Sequence, residues 1–201
     1  MRPNACSRCC DSVRQASPRY QAGSKGPCCV SCRWFGGLSV REIRLFGDPI
    51  LKSVCDEVTD LAAAESLVQD LLETTSLPGR AGVAANQIGV GQRVFAYSVD
   101  DELGYLINPE IIELAGEKLE IEEGCLSVPG LWHKTPRFER ATARGLQLDG
   151  STIEISGEGL LAQALQHECD HLDGLLYLDR LLPEERKLAL RALREQDWFL
   201  S

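Results

Sequence analysis

Between residues 93 and 155, hydrophobic and polar positions alternate in short runs, which predicts β-strands. Gly, Pro and Asp separate the runs, so we expect tight turns and a largely antiparallel sheet. The predicted strands cover residues 93–99, 105–108, 111–114, 117–121, 141–148 and 152–155. The same alternation over residues 40–45 predicts one more short strand, which ends at the turn signal Asp48-Pro49.

Helical spacing of apolar residues marks three other segments. Asp60 precedes a Leu/Val stripe that predicts a helix to about residue 76, before Pro78-Gly79. A second helix is predicted from about residue 159, and a third, opened by Pro183, over residues 184–198. The chain is therefore predicted to have an α+β fold, with mostly antiparallel short strands around a central helix, an N-terminal helix and a C-terminal helix.

Charge divides the chain near residue 38. The whole sequence has 201 residues and a formal net charge of −9. Residues 1–38 carry six Lys/Arg, one acidic residue and six of the nine cysteines, whereas the remainder is strongly acidic. This acidity argues against a general affinity for nucleic acid or anionic membranes, and no apolar run is long enough to span a bilayer.

Residues 1–38 show no periodic pattern, and we predict that they form a disordered extension preceding a single catalytic domain over residues 39–201. Two CxxC pairs are compatible with a zinc knuckle, the cysteines with a disulfide framework, and the basic character with an organelle leader. The interpretation we favour is upstream sequence that is absent from the natural protein, which would then start near residue 38.

The central helix contains the most informative motif, His167-Glu168-Cys169-Asp170-His171. Residues four apart lie about one helical turn apart, so both imidazoles project from the same face. Two such imidazoles supply half of a metal site, and the adjacent carboxylate can transfer protons beside it. A surface helix with ordinary histidines is the alternative, but the apolar residues on both sides of the motif favour burial.

A hydrolytic metal site requires a third protein ligand and an open position for water. The candidates in the sequence are His133, Cys55, Cys125 and Cys169. Cys125 lies between Gly124 and Pro129, which indicates an unusual backbone path, whereas Cys169 points away from the histidine face and is interpreted as packing.

Three motifs in order resemble those of peptide deformylases: residues 82–87 (GVAANQ), 123–127 (EGCLS) and 166–171 (QHECDH). The resemblance extends from about Val40 to the final helix. It implies removal of the N-formyl group from the initiator methionine of nascent polypeptides. It also implies Cys125, His167 and His171 as metal ligands, with water as the fourth ligand.

Further roles follow from the same resemblance. Glu168 would carry the proton as general base and then general acid, while the Gln87 side-chain amide and the Leu126 backbone N–H would stabilise the oxyanion. Glu123 and Arg137 would form a supporting ion pair. The peptide would pair with the backbone near Gly82 and Gly124, and the candidates for the rest of the substrate site are Ala81, Ile121, Glu123, Leu160 and Ala164.

The resemblance suggests Fe²⁺ as the single divalent ion, although a Cys/His/His site also suits Zn²⁺, Ni²⁺ or Co²⁺. The expected partners are N-formylmethionyl nascent chains near the ribosome, and we expect a monomer in the bacterial cytoplasm with no specific nucleic acid or membrane partner. Import into an organelle is the alternative if residues 1–38 are a true leader.

Three residues depart from the family pattern. Arg80 occupies the first glycine position of the first motif, and Trp132 and His133 follow the thiolate loop. Two other functions remain open. A zinc peptidase would take its third ligand downstream, from Asp173, Asp179, Glu184 or Glu185. An inactive relative would serve only as a binding module, for which Gln87 and Glu168 would be unnecessary.

Overall fold

A five-stranded antiparallel sheet forms the centre of the protein, with its strands in sequence order. The computed structural model describes residues 40–199, so the predicted extension over residues 1–38 lies outside the described residues. The strands are β1 (Gly82–Ala84), β2 (Val94–Val99), β3 (Glu102–Cys125), β4 (Val128–Leu146) and β5 (Thr152–Glu158). The α+β class and the antiparallel sheet predicted from the sequence are confirmed.

Four α-helices and three short 3₁₀ segments accompany the sheet in the described part of the chain. The α-helices are α1 (Glu65–Thr75), α2 (Gly159–Leu172), α3 (Tyr177–Arg180) and α4 (Pro183–Arg194). The 3₁₀ segments are Pro49–Lys52, Ala85–Ile88 and Asp197–Phe199. The last predicted helix is therefore shorter than residues 184–198, since α4 ends at Arg194. None of the described helices combines the length and apolar character needed to cross a membrane.

The strand boundaries differ from the predicted ones. One long strand, β3, contains the three predicted strands over residues 105–108, 111–114 and 117–121. Its pairing register with β4 shifts at Asn108-Pro109 and around Gly116. In the sequence these residues indicate turns that end a strand, but a β-bulge accommodates them within a continuous strand. Likewise, β4 starts at Val128, well before the predicted residue 141.

Residues 40–45 are not a strand, and that prediction was wrong. Their backbone makes single hydrogen bonds to loops instead of a ladder: Arg44 N–H donates to Gln87 O at 2.7 Å. The next residue but one, Phe46, donates its N–H to Ser127 O at 2.8 Å. The segment thereby connects the 3₁₀ turn at Gln87 with the β3–β4 turn at Ser127.

Helix α2 packs across the sheet with its apolar face inward. Its side chains Ala162, Leu165 and Leu172 join Phe95 of β2 and Leu106 of β3 in one buried cluster. The helix is followed by Gly174, whose φ of 72° is left-handed and whose position lies against the Lys52 carbonyl, so a side chain there would clash. Because α2 is fixed by this packing, the polar residues on the same helix are held at defined positions beside the sheet.

Two further clusters complete the core. Helix α1 packs Val68 and Leu71 against Val83 and Ile107 of the sheet. Near the end of the chain, α3 and α4 pack against the β3–β4 turn through a cluster of eight buried residues. Its members are Val128, Leu131, Leu176, Tyr177, Leu178, Leu181, Ala189 and Leu193. The β3–β4 turn is therefore held in place by α3 and α4.

Candidate active site

The two histidines of the HExxH motif lie side by side within α2, which spans Gly159–Leu172. Both are buried, and their ring centroids are 4.8 Å apart in an edge-to-face arrangement. Glu168, between them, is 3% exposed. The 3.6-residue period brings the histidines together, and the apolar packing of α2 places the whole group inside the protein.

Cys125 approaches these histidines from the end of β3. Its Sγ lies 3.2 Å from His171 Nε2, and the ligand atoms of Cys125, His167 and His171 all lie within 4.8 Å of one another. The backbone reaches this position because the β3–β4 register shifts between Gly124 and Cys125. Ser127 N–H donates to the sulfur at 3.4 Å, which helps to fix the position of the side chain.

The chemistry of these three groups fits a divalent transition metal. A thiolate and two neutral imidazoles form a mixed S/N donor set that suits Zn²⁺, Fe²⁺, Co²⁺ and Ni²⁺. His167 contacts Glu123 Oε1 through Nδ1 at 2.5 Å, so its other nitrogen is free to face Cys125. A carboxylate in this position is the usual outer partner of a metal-binding histidine.

The other predicted candidates for the third ligand lie elsewhere. His133 Nδ1 is 2.7 Å from Glu185 Oε1, and its ring stacks on Tyr177. Cys55 and Cys169 belong to the buried cluster that α2 forms with the sheet. Burial there raises the pKa of Cys55 to about 11 and that of Cys169 to about 12. Both thiols therefore stay protonated at neutral pH, and the packing role expected for Cys169 agrees with this position.

Three of the acidic residues that a zinc peptidase could use downstream, Asp173, Asp179 and Glu185, make their contacts away from His167 and His171. Asp173 pairs with Arg93 at 2.7 Å. Asp179 pairs with Lys52 and Arg186. Within residues 40–199, only the group of Cys125, His167 and His171 has a metal-binding arrangement.

A chain of buried charges supports His167 from behind. Arg137 donates to both oxygens of Glu123, at 2.8 and 2.7 Å, and through Nη1 to Asp170 Oδ2 at 2.6 Å. Asp170 in turn accepts two hydrogen bonds from Arg180, at 2.6 and 3.1 Å. Burial raises the pKa of Glu123, but hydrogen bonds from Arg137 and His167 outweigh it and lower this pKa to about 2. Glu123 is therefore ionised at neutral pH.

The pair of Glu123 and Arg137 was predicted from the sequence, but its extension was missed. Asp170 lies inside the HExxH motif, and an acidic residue on a buried helix requires a cationic partner. That requirement was visible in the sequence, whereas the identity of the partner, Arg137 or Arg180, depends on tertiary structure. Ser127 was missed as well, although it follows the thiolate by only two residues.

Gln87 faces the same site from the 3₁₀ segment Ala85–Ile88, and it is 1% exposed. Its Oε1 accepts from Ala84 N–H at 2.9 Å, which fixes the orientation of the amide. Its Nε2 donates to Ser127 Oγ at 3.2 Å and lies 3.5 Å from Cys125 Sγ. The amide thus presents its donor side to the metal-binding group.

Glu168 lies against the backbone of β1. A Cβ added to Gly82 would lie 2.8 Å from both Cγ and Cδ of Glu168 and closer still to Oε1, so a side chain at this position would force Glu168 to move. Burial raises the pKa of Glu168 to about 7. Its Oε2 has no hydrogen-bond partner among the described residues. A buried carboxylate with a pKa near neutrality can both accept and return a proton.

Gln87, Cys125, His167 and Glu168 line a cleft of about 790 Å³. Most of the predicted substrate-site residues line it too: Ala81, Gly82, Glu123, Gly124, Leu160 and Ala164, together with Gln87 and Leu126. Ile121 does not, because the part of β3 that lines the cleft begins at Glu122. Glu123 contacts the cleft, but its carboxylate is occupied by Arg137 and His167, which leaves it a supporting position.

The cleft also has a free strand edge. In the sheet order β1 pairs only with β2, so the other edge of β1 has no neighbouring strand within the sheet. Two of the three departures from the family pattern, Arg80 and Trp132, line the same cleft, whereas His133 does not. Arg80 Nη1 donates to Thr74 O at 2.8 Å, which satisfies a carbonyl at the end of α1.

Comparison with known proteins agrees with this geometry. Residues 40–187 match the family model for polypeptide deformylase. A peptide deformylase of Acidothermus cellulolyticus is 48% identical over 162 residues, which cover 80% of this chain and 89% of the relative. Peptide deformylase 1 of Corynebacterium efficiens is 44% identical over 168 residues, covering 81% and 99%.

Solved structures give the same result. A peptide deformylase from Legionella pneumophila superposes with a TM-score of 0.72 and 38% identity, covering 78% of this chain and 95% of that one. The enzyme from Thermus thermophilus superposes with a TM-score of 0.73 and 37% identity, covering 78% and 94%. Sequence, fold and the cysteine–histidine group lead to one conclusion: the chain belongs to the peptide deformylase family.

Proposed function

We propose that this protein removes the N-formyl group from the N-terminal formylmethionine of nascent polypeptides and releases formate. The observation that supports this most strongly is the convergence of Cys125, His167 and His171, within 4.8 Å of one another, beside Glu168 and the Gln87 amide. A thiolate, two imidazoles, a proton carrier and an amide donor in one cleft are the groups that hydrolysis of a formamide requires.

Cys125, His167 and His171 would hold the metal, with Fe²⁺ proposed as the physiological ion. When bound, such an ion polarises a carbonyl oxygen and lowers the pKa of a coordinated water. The chain of Glu123, Arg137 and Asp170 would keep His167 in the orientation and tautomer that this binding needs, because Glu123 occupies its Nδ1.

Glu168 would move the proton. Its carboxylate can take a proton from the attacking water and return it to the amine that leaves, since burial holds its pKa near neutrality. Gly82 allows the close approach of this carboxylate to β1. The Gln87 Nε2 and the backbone N–H of Leu126, in the turn between β3 and β4, would donate to the oxyanion that develops on the formyl oxygen.

The peptide would add to the free edge of β1 as an extra strand. Backbone groups around Gly82 and Gly124 would hold it in register, and Ala81, Leu160 and Ala164 would contact the methionine side chain. A formyl carbon bears only hydrogen, so a narrow site beside Gly82 would admit it and exclude larger acyl groups.

We place the catalytic domain over residues 39–201, as a monomer, since one chain supplies the ligands, Glu168 and Gln87. Its site of action would be the bacterial cytoplasm, near the ribosome, where formylated nascent chains emerge.

The assay is incubation of anaerobically prepared, Fe²⁺-loaded protein with formyl-Met-Ala-Ser, followed by measurement of formate and of free amine. We expect both products in equal amounts. Cleavage of internal peptide bonds without formate would instead indicate a peptidase. Binding of the peptide without either product would indicate an inactive binding module. The matched control is Glu168→Gln, which should bind metal as the wild type does but release formate much more slowly.

A further inference from the structure

Trp132 is the most exposed large apolar side chain of the cleft. Among residues 40–199, ten large hydrophobic side chains are exposed, and only Trp132 and Leu160 of these line the cleft, with 68% and 53% of their surface open to solvent. Exposed apolar surface that is concentrated at a concave site, rather than scattered, commonly marks a binding surface.

The position of the indole is fixed by Gly124. Trp132 in β4 lies directly opposite Gly124 in β3. A Cβ built on Gly124 would lie 2.8–2.9 Å from the indole atoms Cδ2, Cε2 and Cε3, so the ring rests on the glycine backbone. A structural role is the simplest explanation of this contact, because an aromatic ring can cover a glycine in the neighbouring strand. That contact nevertheless leaves two thirds of the side chain in solvent.

The ring is close to the reacting end of the substrate. Gly124 immediately precedes Cys125, and an extended peptide advances about 3.3 Å per residue. A ring on Gly124 is therefore within reach of the one or two residues that follow the N-terminal methionine. Leu160, in the first turn of α2, borders the same cleft.

We propose that Trp132 is a specificity-determining residue that favours formylated peptides with an aromatic side chain at the second or third position. The inference rests on the proposed deformylation. Offset or edge-to-face packing of a substrate ring on the indole would bury the open surface of Trp132. The rival is a cationic side chain, since the cleft also carries the acidic residues Asp100, Asp101 and Glu122.

The test measures kcat/KM by formate release on two peptide series, formyl-Met-Xaa-Ser and formyl-Met-Ala-Xaa, with Xaa as Phe, Arg or Ala. The wild-type protein should prefer Phe over Ala in at least one series by about 2- to 10-fold, mostly through KM. Trp132→Ala should reduce that ratio to about one, whereas Trp132→Phe should retain most of it. Metal content and melting temperature of each variant show whether it is folded.

Leu188→Ala is the matched control, because Leu188 is 55% exposed on α4 and does not line the cleft. It should keep the wild-type ratio. Equal rates for Phe and Ala in both series, an unchanged ratio in Trp132→Ala, or a gain for Arg alone would each overturn the proposal. Absence of any turnover of formyl-Met-Ala-Ser by the wild-type protein is a different result, since it would refute the proposed function itself.

Discussion

Replacing Gly82 by alanine tests the contact between β1 and Glu168. The added Cβ would lie 2.8 Å from Cγ and Cδ of Glu168 and closer still to Oε1, whereas ordinary carbon contacts lie at about 3.5–4.0 Å. The side chain of Glu168 therefore has to move by about 1 Å. Because it is buried in α2 and cannot leave the cleft freely, the carboxylate would be displaced from its working position.

A displacement of this size has a known kinetic scale. Misplacing a catalytic group by about 1 Å can lower the rate about 100-fold, which corresponds to about 2.7 kcal/mol of transition-state stabilisation. We expect Gly82→Ala to lower kcat on formyl-Met-Ala-Ser by roughly that factor. Metal binding should persist, since the three atoms nearest to a Cβ at Gly82 all belong to Glu168, which is not a proposed metal ligand.

The assay compares formate release, metal content and melting temperature of the variant with those of Gly91→Ala. Gly91 is the matched control, because a Cβ there meets no atom within 4 Å and its φ is not left-handed. Gly91→Ala should keep wild-type activity. A Gly82→Ala protein with full kcat would refute the inference that Glu168 must occupy its position against β1. Loss of metal from that variant would also contradict it.

Three further predictions concern the proton carrier, the buried charges and the dependence of stability on pH. Glu168→Gln should lower kcat by about 10²- to 10⁴-fold while metal content stays constant; a smaller loss would remove Glu168 from the proposed role. Arg137→Met should lower the free energy of unfolding by about 3–5 kcal/mol and weaken metal binding about 10- to 100-fold, because Glu123 and Asp170 would lose their buried partner. Denaturant titration and chelator competition measure both, and Arg186→Met, which removes only an exposed ion pair, should cost less than about 1 kcal/mol. Burial raises the pKa of Asp179, but hydrogen bonds from Lys52 and from Leu176 N–H outweigh it, so the pKa is lower than usual. The contribution of Asp179 to the free energy of unfolding is therefore present above its unfolded pKa of about 3.9 and is lost as pH falls through the lower folded pKa. The free energies of unfolding of wild type and Asp179→Asn should therefore differ less at pH 3 than at pH 7. The same difference at both pH values would contradict this.

Local sequence patterns predicted the parts of the site that depend on local geometry. Four-residue spacing is sufficient to bring His167 and His171 together once the segment is helical, and the structure has helix Gly159–Leu172 over the motif. The family resemblance placed Gly82 beside the substrate, but the side chain that lies against it, Glu168, comes from a segment 86 positions away. Periodicity contains no information on that pairing.

Residues that usually mark turns were the main source of error in the predicted fold. Asn108-Pro109 and Gly116 indicate turns, yet the structure places them at irregularities within β3, because the long partner strand β4 continues past them. The converse error occurred at residues 40–45, where alternation without a neighbouring strand produced only isolated hydrogen bonds. In both cases the neighbouring strand decides the outcome, and a single segment does not reveal its neighbour.

The connection from Asp170 to Arg180 illustrates the same limit within the site. Both residues are visible in the sequence, but the contact between Arg180 of α3 and Asp170 of α2 exists only in the folded chain. Which cation neutralises which buried acid is therefore a property of the assembled fold. The family resemblance supplied the ligand set, and the structure supplied the supporting contacts.

Cys125, His167 and His171 are proposed to hold the metal that deformylation requires, and every other proposed role depends on this. The most direct test is the metal content per chain of anaerobically purified Cys125→Ser, measured beside Cys169→Ala, whose thiol is buried on the same helix as both histidines but is not a proposed ligand. We predict about one equivalent of metal in the wild type and in Cys169→Ala, and a large loss in Cys125→Ser. Full metal occupancy in Cys125→Ser would contradict the assignment.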